Sequence, residues 1–280
     1  MSKIKIAELF YSLQGEGQYL GTPSVFLRVF GCNFQCQGFS MPRGEVSRER
    51  MDIDPNNFKT YNDLPLVHTG CDSYASWDVR FKHLSPMMSV ESIVDKIEGL
   101  LPFSKFSKDK HLIITGGEPL LGWQRTYIEL LEEIKSRDMN LSHLTFETNG
   151  TQTLNDDLKD YLSDSGIEVT FSISSKLPSS GESFEEAILP DVVAGYAEVE
   201  NSNPYFKWVV SNEDDYQDVI RAVETYADGG VEYPVYLMPA GGTTMHYNDN
   251  EKWVANIAME NGWRYTPRLQ VQLWKNAWGT

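Results

Sequence analysis

The stretch Ser24-Val-Phe-Leu-Arg-Val-Phe-Gly-Cys-Asn-Phe-Gln-Cys36 joins a β-strand to a polar loop that carries two cysteines. Residues 24–30 are rich in β-branched and aromatic side chains, which predicts a strand. Gly31 ends that strand, and Cys32 and Cys36 follow in the loop. We therefore expect both thiols at the carboxyl end of a strand, where α/β proteins bind their ligands.

The third and last cysteine of the 280 residues is Cys71, in Thr69-Gly-Cys-Asp-Ser73. Three thiolates can bind three irons of a 4Fe–4S cluster and leave the fourth iron open to another ligand. With His68 as a fourth ligand the same thiols would suit zinc. Three buried free thiols are the remaining interpretation. Spacing alone does not choose between iron and zinc.

Arg28 is unusual within its strand. Side chains alternate along a strand, so Arg28 shares a face with Phe26 and Phe30. A guanidinium on an apolar face needs an anion, and a carboxylate fits it through two hydrogen bonds. The alternative is an arginine at a sheet edge whose charged end reaches solvent.

Residues 37–70, between the second and third cysteines, differ from the rest of the chain. They are polar, contain Pro42, Pro55 and Pro65, and show no sustained hydrophobic period. The pattern predicts a loop-rich insertion with a short helix.

Outside this region strands and helices alternate. The predicted strands are 3–11, 24–30, 111–115, 144–147, 167–173, 205–210, 234–237 and 269–273. The predicted helices are 90–101 (capped by Ser89), 123–134, 155–162, 184–199, 214–226 and 248–261. Such alternation is typical of βαβ units with a parallel sheet. We predict one α/β domain whose sheet is open or forms a partial barrel.

Polar and glycine-rich stretches follow the strand ends throughout the chain, which predicts a single site along one rim of the sheet. They are Gly31-Cys32, Thr115-Gly-Gly-Glu118, Glu147-Thr-Asn-Gly150, Ser174-Ser-Lys176, Ser211-Asn212 and Met238-Pro-Ala-Gly-Gly242. The pair Gly116-Gly117 lets backbone approach a ligand closely, or is an ordinary tight turn.

Composition excludes several functional classes. Lys and Arg number 24 against 40 Asp and Glu, a net charge of −16 that repels phosphate backbones. A small molecule is therefore the expected substrate, with no direct role for nucleic acid. No segment approaches the ~20 apolar residues of a membrane helix, and the first residues lack a signal-peptide core. Three cysteines, an odd number, favour a reducing, cytoplasmic location.

Taken together and in order, several motifs resemble one family. They are Tyr11-Ser-Leu-Gln-Gly-Glu-Gly17, Phe26-Leu-Arg28, Gly31-Cys-Asn-Phe-Gln-Cys36, Cys71-Asp-Ser73, Thr115-Gly-Gly-Glu-Pro119, Glu147-Thr-Asn-Gly150 and the terminal Arg268-Leu-Gln-Val-Gln-Leu-Trp274. The chain resembles 7-carboxy-7-deazaguanine synthase, a radical S-adenosylmethionine (SAM) enzyme of the queuosine pathway. Ser-Leu-Gln-Gly-Glu-Gly is the specific signature, whereas the cysteines alone indicate only the superfamily.

The resemblance implies a (β/α)6-type radical SAM barrel, partial or modified, over residues 1–280, with 37–70 inserted in the cluster-binding loop. It implies a lyase that converts 6-carboxy-5,6,7,8-tetrahydropterin to 7-carboxy-7-deazaguanine with loss of ammonia. A 4Fe–4S cluster would cleave SAM to a 5′-deoxyadenosyl radical that removes a substrate hydrogen. The family further implies a homodimer and a flavodoxin-like or other reductant.

The resemblance also assigns residues. The 4Fe–4S ligands would be Cys32, Cys36 and Cys71, and Ser73 would bind Mg²⁺ where the family has threonine. The pterin contacts would be Leu13, Gln14, Gly15, Arg28 (for the carboxylate) and Thr115. The SAM contacts would be Gly117, Ser174, Ser175, Lys176, Met238, Pro239, Ala240 and Gly241.

Two departures stand out. The family usually spaces its cysteines C-x3-C-x2-C or with a longer first gap, whereas here 34 residues separate Cys36 from Cys71 and Phe39 holds the expected third position. The residue before the third cysteine is often aromatic, but here it is Gly70. The rival interpretations are another radical SAM enzyme, such as a glycyl-radical activase, and a non-catalytic descendant that binds a partner.

Overall fold

A mainly parallel sheet of nine strands forms the centre of the computed structural model, which describes residues 2–241 and 250–280. The strands are β1 (Lys3–Leu13), β2 (Pro23–Val29), β3 (Met87–Ser89), β4 (His111–Gly116), β5 (His143–Thr148), β6 (Glu168–Ile173), β7 (Tyr205–Val210), β8 (Val235–Pro239) and β9 (Arg264–Tyr265). Their order is β3-β1-β2-β4-β5-β6-β7-β8-β9. β1 is antiparallel to β2 and β3, and all later pairs are parallel. Among the described residues β3 and β9 are each paired on one side only, so the sheet is open, as in a partial barrel. The α/β prediction is confirmed.

Helices connect the parallel strands. The described ones are α1 (Val90–Leu100), α2 (Gln124–Ser136), α3 (Asp156–Asp164), α4 (Phe184–Ala187), α5 (Pro190–Ala194), α6 (Glu213–Asp228), α7 (Glu251–Glu260) and α8 (Leu269–Trp274). Ser89 caps α1 by accepting a hydrogen bond from the Ser92 backbone N–H, as predicted. None of the described helices has the length and apolarity needed to span a bilayer.

The two faces of the sheet differ because side chains alternate along each strand. One face packs on the helices in the main core, with fully buried side chains such as Leu27, Ile114, Phe171 and Trp208. The opposite face carries polar side chains at adjacent positions, and they line a cavity: Arg28, Thr115, Glu147, Ser172 and Lys207. The alternation of polar and apolar side chains that the sequence shows around Arg28 is therefore found in all five strands that carry these residues, β2, β4, β5, β6 and β7.

The predicted strand 269–273 is wrong, because these residues form α8. The alternation of Leu269, Val271 and Leu273 spans too few residues to exclude a helical turn, and leucine and glutamine are good helix formers. β9 already occupies the sheet edge beside β8. The Leu269 N–H instead donates to the Gly15 carbonyl at 2.9 Å.

The predicted helix 184–199 is broken into α4, α5 and a 3₁₀ turn. Pro190 cannot continue the first helix and instead begins the second. Of the predicted helix 248–261, residues 248 and 249 lie outside the described residues, as does Gly242 of the glycine-rich stretch after β8.

Residues 37–70 hold short 3₁₀ turns at Glu49–Asp52, Pro55–Asn57 and Tyr61–Asp63. Their apolar side chains form a separate small core with the segment that follows Cys71. Its buried members are Ala7, Tyr61, Leu64, Val67, Tyr74, Ala75 and Phe81. Trp278 packs edge-on against Tyr61 and Tyr74, each at 5.7 Å between ring centroids. This core ties the region to both ends of the chain.

Phe171 should dominate the stability of the helix-covered face. Its ring is fully buried and stacks between Phe146 at 5.6 Å and Tyr196 at 4.6 Å. Phe171→Ala should lower the free energy of unfolding in urea by about 3–5 kcal/mol. The matched control is Phe103→Ala, because Phe103 is 98% exposed; its effect should stay within about 0.5 kcal/mol. Equal effects of the two substitutions would contradict this core.

Candidate active site

The inner face of the sheet borders a cavity of about 280 Å³. All three cysteines line it, together with residues of the loop after β1, the 37–70 region and the C-terminal segment. Arg28 and Thr115 sit side by side in the β2–β4 register, as do Glu147 and Ser172 in the β5–β6 register. The loops after β2, β4, β5, β6 and β8 thus converge on one site, as the sequence indicated, whereas Ser211 and Asn212 after β7 are outside its lining.

The loop after β2 is fixed by backbone hydrogen bonds. The Gly31 N–H donates to the Ser76 carbonyl at 2.8 Å, which joins this loop to the segment after Cys71. The Glu182 carboxylate accepts from the N–H groups of Gln35 (2.9 Å) and Cys36 (2.7 Å). Cys36 has φ of 49°, which non-glycine residues adopt only when the surroundings hold them there.

Cys71 is brought to the same place because residues 37–70 leave and return at neighbouring points. The Gly70 N–H donates to the Phe39 carbonyl at 2.7 Å. Cys32, Phe39 and Cys71 all pack against one apolar cluster that contains Cys36. Phe39, which occupies the family's third-cysteine position, is therefore where the chain departs and rejoins the loop.

Glu49 holds the returning segment. Its Oε2 accepts from the N–H groups of His68 (2.8 Å) and Thr69 (2.9 Å) and from the Thr69 hydroxyl (3.0 Å). The Ser47 hydroxyl contacts the Thr69 hydroxyl at 2.6 Å. One carboxylate thereby fixes the two residues that lie two and three positions before Cys71.

The thiols suit a cationic ligand. Burial raises the pKa of Cys32 to about 12 and raises the pKa values of Cys36 and Cys71 above their usual range. Lys176 lowers all three pKa values, although less strongly than burial raises them. A bound iron cluster would supply the missing positive charge, and its binding would release the thiol protons.

Among residues 2–241 and 250–280, no group of three or more His, Cys, Asp or Glu side chains is arranged to hold a single metal ion. The three cysteines line one cavity, and both the cluster and the zinc site that the sequence left open would draw their ligands from it.

Gly117 packs against the cysteine loop. A Cβ there would lie 2.3 Å from the Gly31 carbonyl oxygen and 2.7 Å from the Cys32 Cβ, so no other residue fits. The adjacent Glu118 is buried, and its carboxylate accepts from the Thr148 hydroxyl (2.8 Å) and the Asn149 N–H (2.6 Å). These contacts join the carboxyl ends of β2, β4 and β5.

The loop Gln14–Gly17 crosses the inner face of the sheet. Gln14 is buried and donates from Nε2 to Glu147 Oε1 at 3.1 Å. A Cβ on Gly15 would lie 1.9 Å from Gln270 Oε1, and one on Gly17, where φ is +72°, would lie 2.2 Å from the Tyr205 hydroxyl. Gly17 is therefore favoured both by its positive φ and by Tyr205 of β7, whereas a side chain at position 15 would have to displace the end of the Gln270 side chain of α8.

Buried ion pairs fix this loop. Lys207 Nζ donates to Glu16 Oε2 at 2.7 Å, and Arg268 Nε donates to Glu16 Oε1 at 3.1 Å. Burial raises the pKa of Glu16, but Lys207 and Arg268 outweigh it and hold the pKa at about 2. Arg268 also donates to Asp72 Oδ2 at 2.6 Å, so the loop is linked to the residue after Cys71.

Arg28 has a carboxylate partner within the chain. Its Nε donates to Glu8 Oε2 at 2.8 Å, and its Nη1 donates to the Ser73 hydroxyl at 3.3 Å. Burial lowers the pKa of Arg28, but Glu8, Glu147 and Asp72 more than offset it and the pKa is raised. The guanidinium is thus charged and oriented at the cavity rather than directed to solvent at a sheet edge.

Most of the predicted contacts reach the cavity and two do not. Its lining includes Leu13, Gln14, Gly15, Arg28, Ser73, Thr115, Gly117, Ser174, Lys176, Met238, Ala240 and Gly241. Ser175 instead is buried against Tyr226, with 2.7 Å between the hydroxyl oxygens, and Pro239 is outside the lining.

The sequence reasoning did not assign Glu16, Asp72, Glu147, Lys207 or Arg268, all of which line the cavity. A signal existed for Lys207, because it interrupts the apolar strand Tyr205–Val210 as Arg28 interrupts β2. The other four residues lie within the motifs that carry the family resemblance, but the resemblance assigned no role to them individually.

A curated 7-carboxy-7-deazaguanine synthase from Halobacterium salinarum is 31% identical to this chain, over 98% of this chain and 91% of the relative. One from Pyrobaculum aerophilum is 30% identical over 99% and 97%. The crystal structure of QueE from Escherichia coli aligns over 95% of this chain and 94% of its own with a TM-score of 0.55; at 18% identity the likeness is one of fold. No protein-family model matches. The two full-length relatives decide the assignment: the chain belongs to the 7-carboxy-7-deazaguanine synthase family.

Proposed function

We propose that this protein is a radical SAM lyase that converts 6-carboxy-5,6,7,8-tetrahydropterin to 7-carboxy-7-deazaguanine with loss of ammonia. The observation that carries the proposal is the meeting of three cysteines, Arg28 and the Gln14–Gly17 loop on one cavity. Family membership supports it. A site that combines three thiols with an oriented guanidinium can hold a redox cofactor and a carboxylated substrate side by side.

Cys32, Cys36 and Cys71 would hold a 4Fe–4S cluster whose open iron binds SAM. When bound, the cluster supplies the electron that cleaves SAM, and SAM supplies the radical that begins the rearrangement. Lys176 favours the thiolate form of all three ligands. The SAM contacts would be Gly117, Ser174, Lys176, Met238, Ala240 and Gly241, all of which line the cavity.

Arg28 would bind the substrate carboxylate, since the guanidinium fork matches a carboxylate. Gln14 and Glu147 are hydrogen-bonded to each other on the cavity wall and would bind the N–H groups of the pterin ring. Leu13, Gly15 and Thr115 complete that wall. The substrate would thus be oriented by its two chemically different ends.

Ser73 would contribute its hydroxyl to Mg²⁺, beside the Asp72 carboxylate that its hydroxyl contacts at 3.3 Å. Mg²⁺ keeps several waters and needs few protein oxygens, so this small donor set suits it. From the family resemblance we also propose a cytoplasmic homodimer that takes electrons from a flavodoxin-like or other reductant, and a single radical SAM domain whose cluster loop contains the 37–70 insertion.

Turnover tests the proposal directly. With SAM and a chemical reductant, reconstituted protein should convert the carboxylated tetrahydropterin to the deazaguanine acid. Arg28→Lys should lower kcat/KM roughly 10–100-fold, because it removes a charged, two-point hydrogen bond. Arg43→Lys, at a half-exposed arginine of the insertion, is the matched control. Cleavage of SAM without any dependence on the pterin would instead identify another radical SAM enzyme, such as a glycyl-radical activase.

Glu49 tests the role of the insertion in holding the third ligand. Wild-type protein reconstituted without oxygen should bind about four irons and give a cluster EPR signal on reduction. Glu49→Ala should lose iron to a chelator roughly tenfold faster, since residues that orient a ligand affect metal retention strongly. Glu45→Ala, an exposed glutamate of the same insertion, should not. One bound zinc and no iron would overturn the cluster assignment.

Glu16 gives a pH signature. Its folded-state pKa of about 2 lies below the value of 4.5 expected of an unpaired glutamate, so its stabilising contribution is complete above pH 4.5 and fades towards pH 2. Glu16→Gln should lower the free energy of unfolding by about 3 kcal/mol at pH 7. The difference from wild type should shrink below pH 4.5. The control is the exposed Glu232→Gln; a deficit independent of pH would contradict the ion pairs.

A further inference from the structure

Trp77 is a cavity-lining residue that the proposed function does not use. It lies six residues after Cys71, directly after the 3₁₀ turn Tyr74–Ser76. Its side chain packs against the insertion core, and it borders the cavity that the three cysteines line. The indole therefore borders both the insertion core and the cavity that the third thiol lines.

The indole N–H of Trp77 lacks a partner where one is expected. Nε1 is buried, and among the described residues it reaches no acceptor with full hydrogen-bond geometry. Two successive turns lead from Cys71 to Trp77: the Tyr74 backbone N–H donates to the Cys71 carbonyl at 3.2 Å, and the Trp77 backbone N–H donates to the Tyr74 carbonyl at 3.3 Å. This short connection keeps Trp77 close to Cys71, and both residues line the cavity. A buried donor left unsatisfied is destabilising, and an acceptor at this point would remove that cost.

Arg50 of the insertion fixes the orientation of that indole. Its guanidinium carbon lies 4.6 Å from the centroid of the Trp77 ring. The guanidinium is in turn held by the buried Asp78 carboxylate, which Arg80 also binds at 2.7 Å. A planar cation stacked on the ring and anchored by a buried carboxylate leaves the indole little freedom to rotate.

We infer that Trp77 is a positioning residue whose N–H donates to the Cys71 thiolate or to a cluster sulfur, and that Arg50 holds it in that orientation. The inference rests on the proposed cluster at Cys32, Cys36 and Cys71. It gives the insertion a redox function beyond spanning the gap between the second and third ligands.

The expected consequence is a shift in reduction potential. Reduction adds a negative charge to the cluster and its thiolates, and an N–H directed at sulfur stabilises that charge. Loss of the donor should therefore make the cluster harder to reduce. A residue that served only to fill space would leave the potential unchanged when replaced by another aromatic ring.

Trp77→Phe removes the N–H and keeps a ring for Arg50 to stack on. In reconstituted protein the cluster should show a more negative midpoint potential and altered EPR g values, with the same iron content as wild type. Trp263→Phe, at a partly buried tryptophan of the main core, is the matched control and should change neither. A Trp77→Phe potential equal to wild type in fully loaded protein overturns the inference while the proposed function stands.

A second pair of variants decides the case if Trp77→Phe takes up too little iron. Arg50→Met and Arg80→Met each remove one partner of Asp78, but only Arg50 stacks on Trp77, whereas Arg80 lies over Phe81 at 5.3 Å. Arg50→Met should lower the potential and broaden the EPR signal, and Arg80→Met should not. Identical potentials in the two variants overturn the inference. A wild-type protein without iron would remove the proposed function and this inference together.

Discussion

The buried ion pair between Glu16 and Lys207 is the contact on which the site depends. The nine strands that the structure describes do not close into a barrel, so another segment must cover the inner face of the sheet. The Gln14–Gly17 loop does this, and it is held there because Glu16 lies 2.7 Å from Lys207 of β7. A charge pair out of water is stabilising only when every lone pair is satisfied. Arg268 and Gln270 meet that need for Glu16.

Arg268 extends this constraint to the thiols. Besides Glu16 it binds the Gly241 carbonyl at 2.7 Å and the Asp72 carboxylate, next to Cys71. The loop that would contact substrate, the end of β8 and the third cysteine are therefore positioned by one guanidinium. This explains how an insertion of 34 residues between Cys36 and Cys71 is tolerated. Its entropic cost grows only logarithmically, to about 2–3 kcal/mol, and the Phe39–Gly70 and Glu49 hydrogen bonds return the chain to its place.

Much of the fold could be predicted because strand composition and helical period are local signals. The strand predicted at 205–210 has the observed bounds, and Arg28, which the sequence marks as unusual within an apolar strand, lines the cavity. Residues 269–273 failed because five residues carry no period that separates strand from helix. The ion pairs of Glu16, Lys207 and Arg268 could not be predicted, since they join residues 191 and 252 positions apart. Only the folded sheet brings such partners together.

The charge pattern separates the surface from the site. The net charge of −16 keeps polyanions away, yet cations cluster at the cavity. Lys207 and Arg268 are each paired with a carboxylate of the chain and hold the segments that carry those carboxylates in place. Lys176 differs: its Nζ donates to the Ser174 hydroxyl at 3.2 Å rather than to a carboxylate of the described residues. Its charge is therefore available to the three thiols, whose pKa values it lowers. A cation paired only with a hydroxyl can stabilise an incoming negative charge. Lys176 is therefore the cation that would favour the proposed thiolate ligands, so electrostatics as well as the positions of the cysteines support the proposed cluster site.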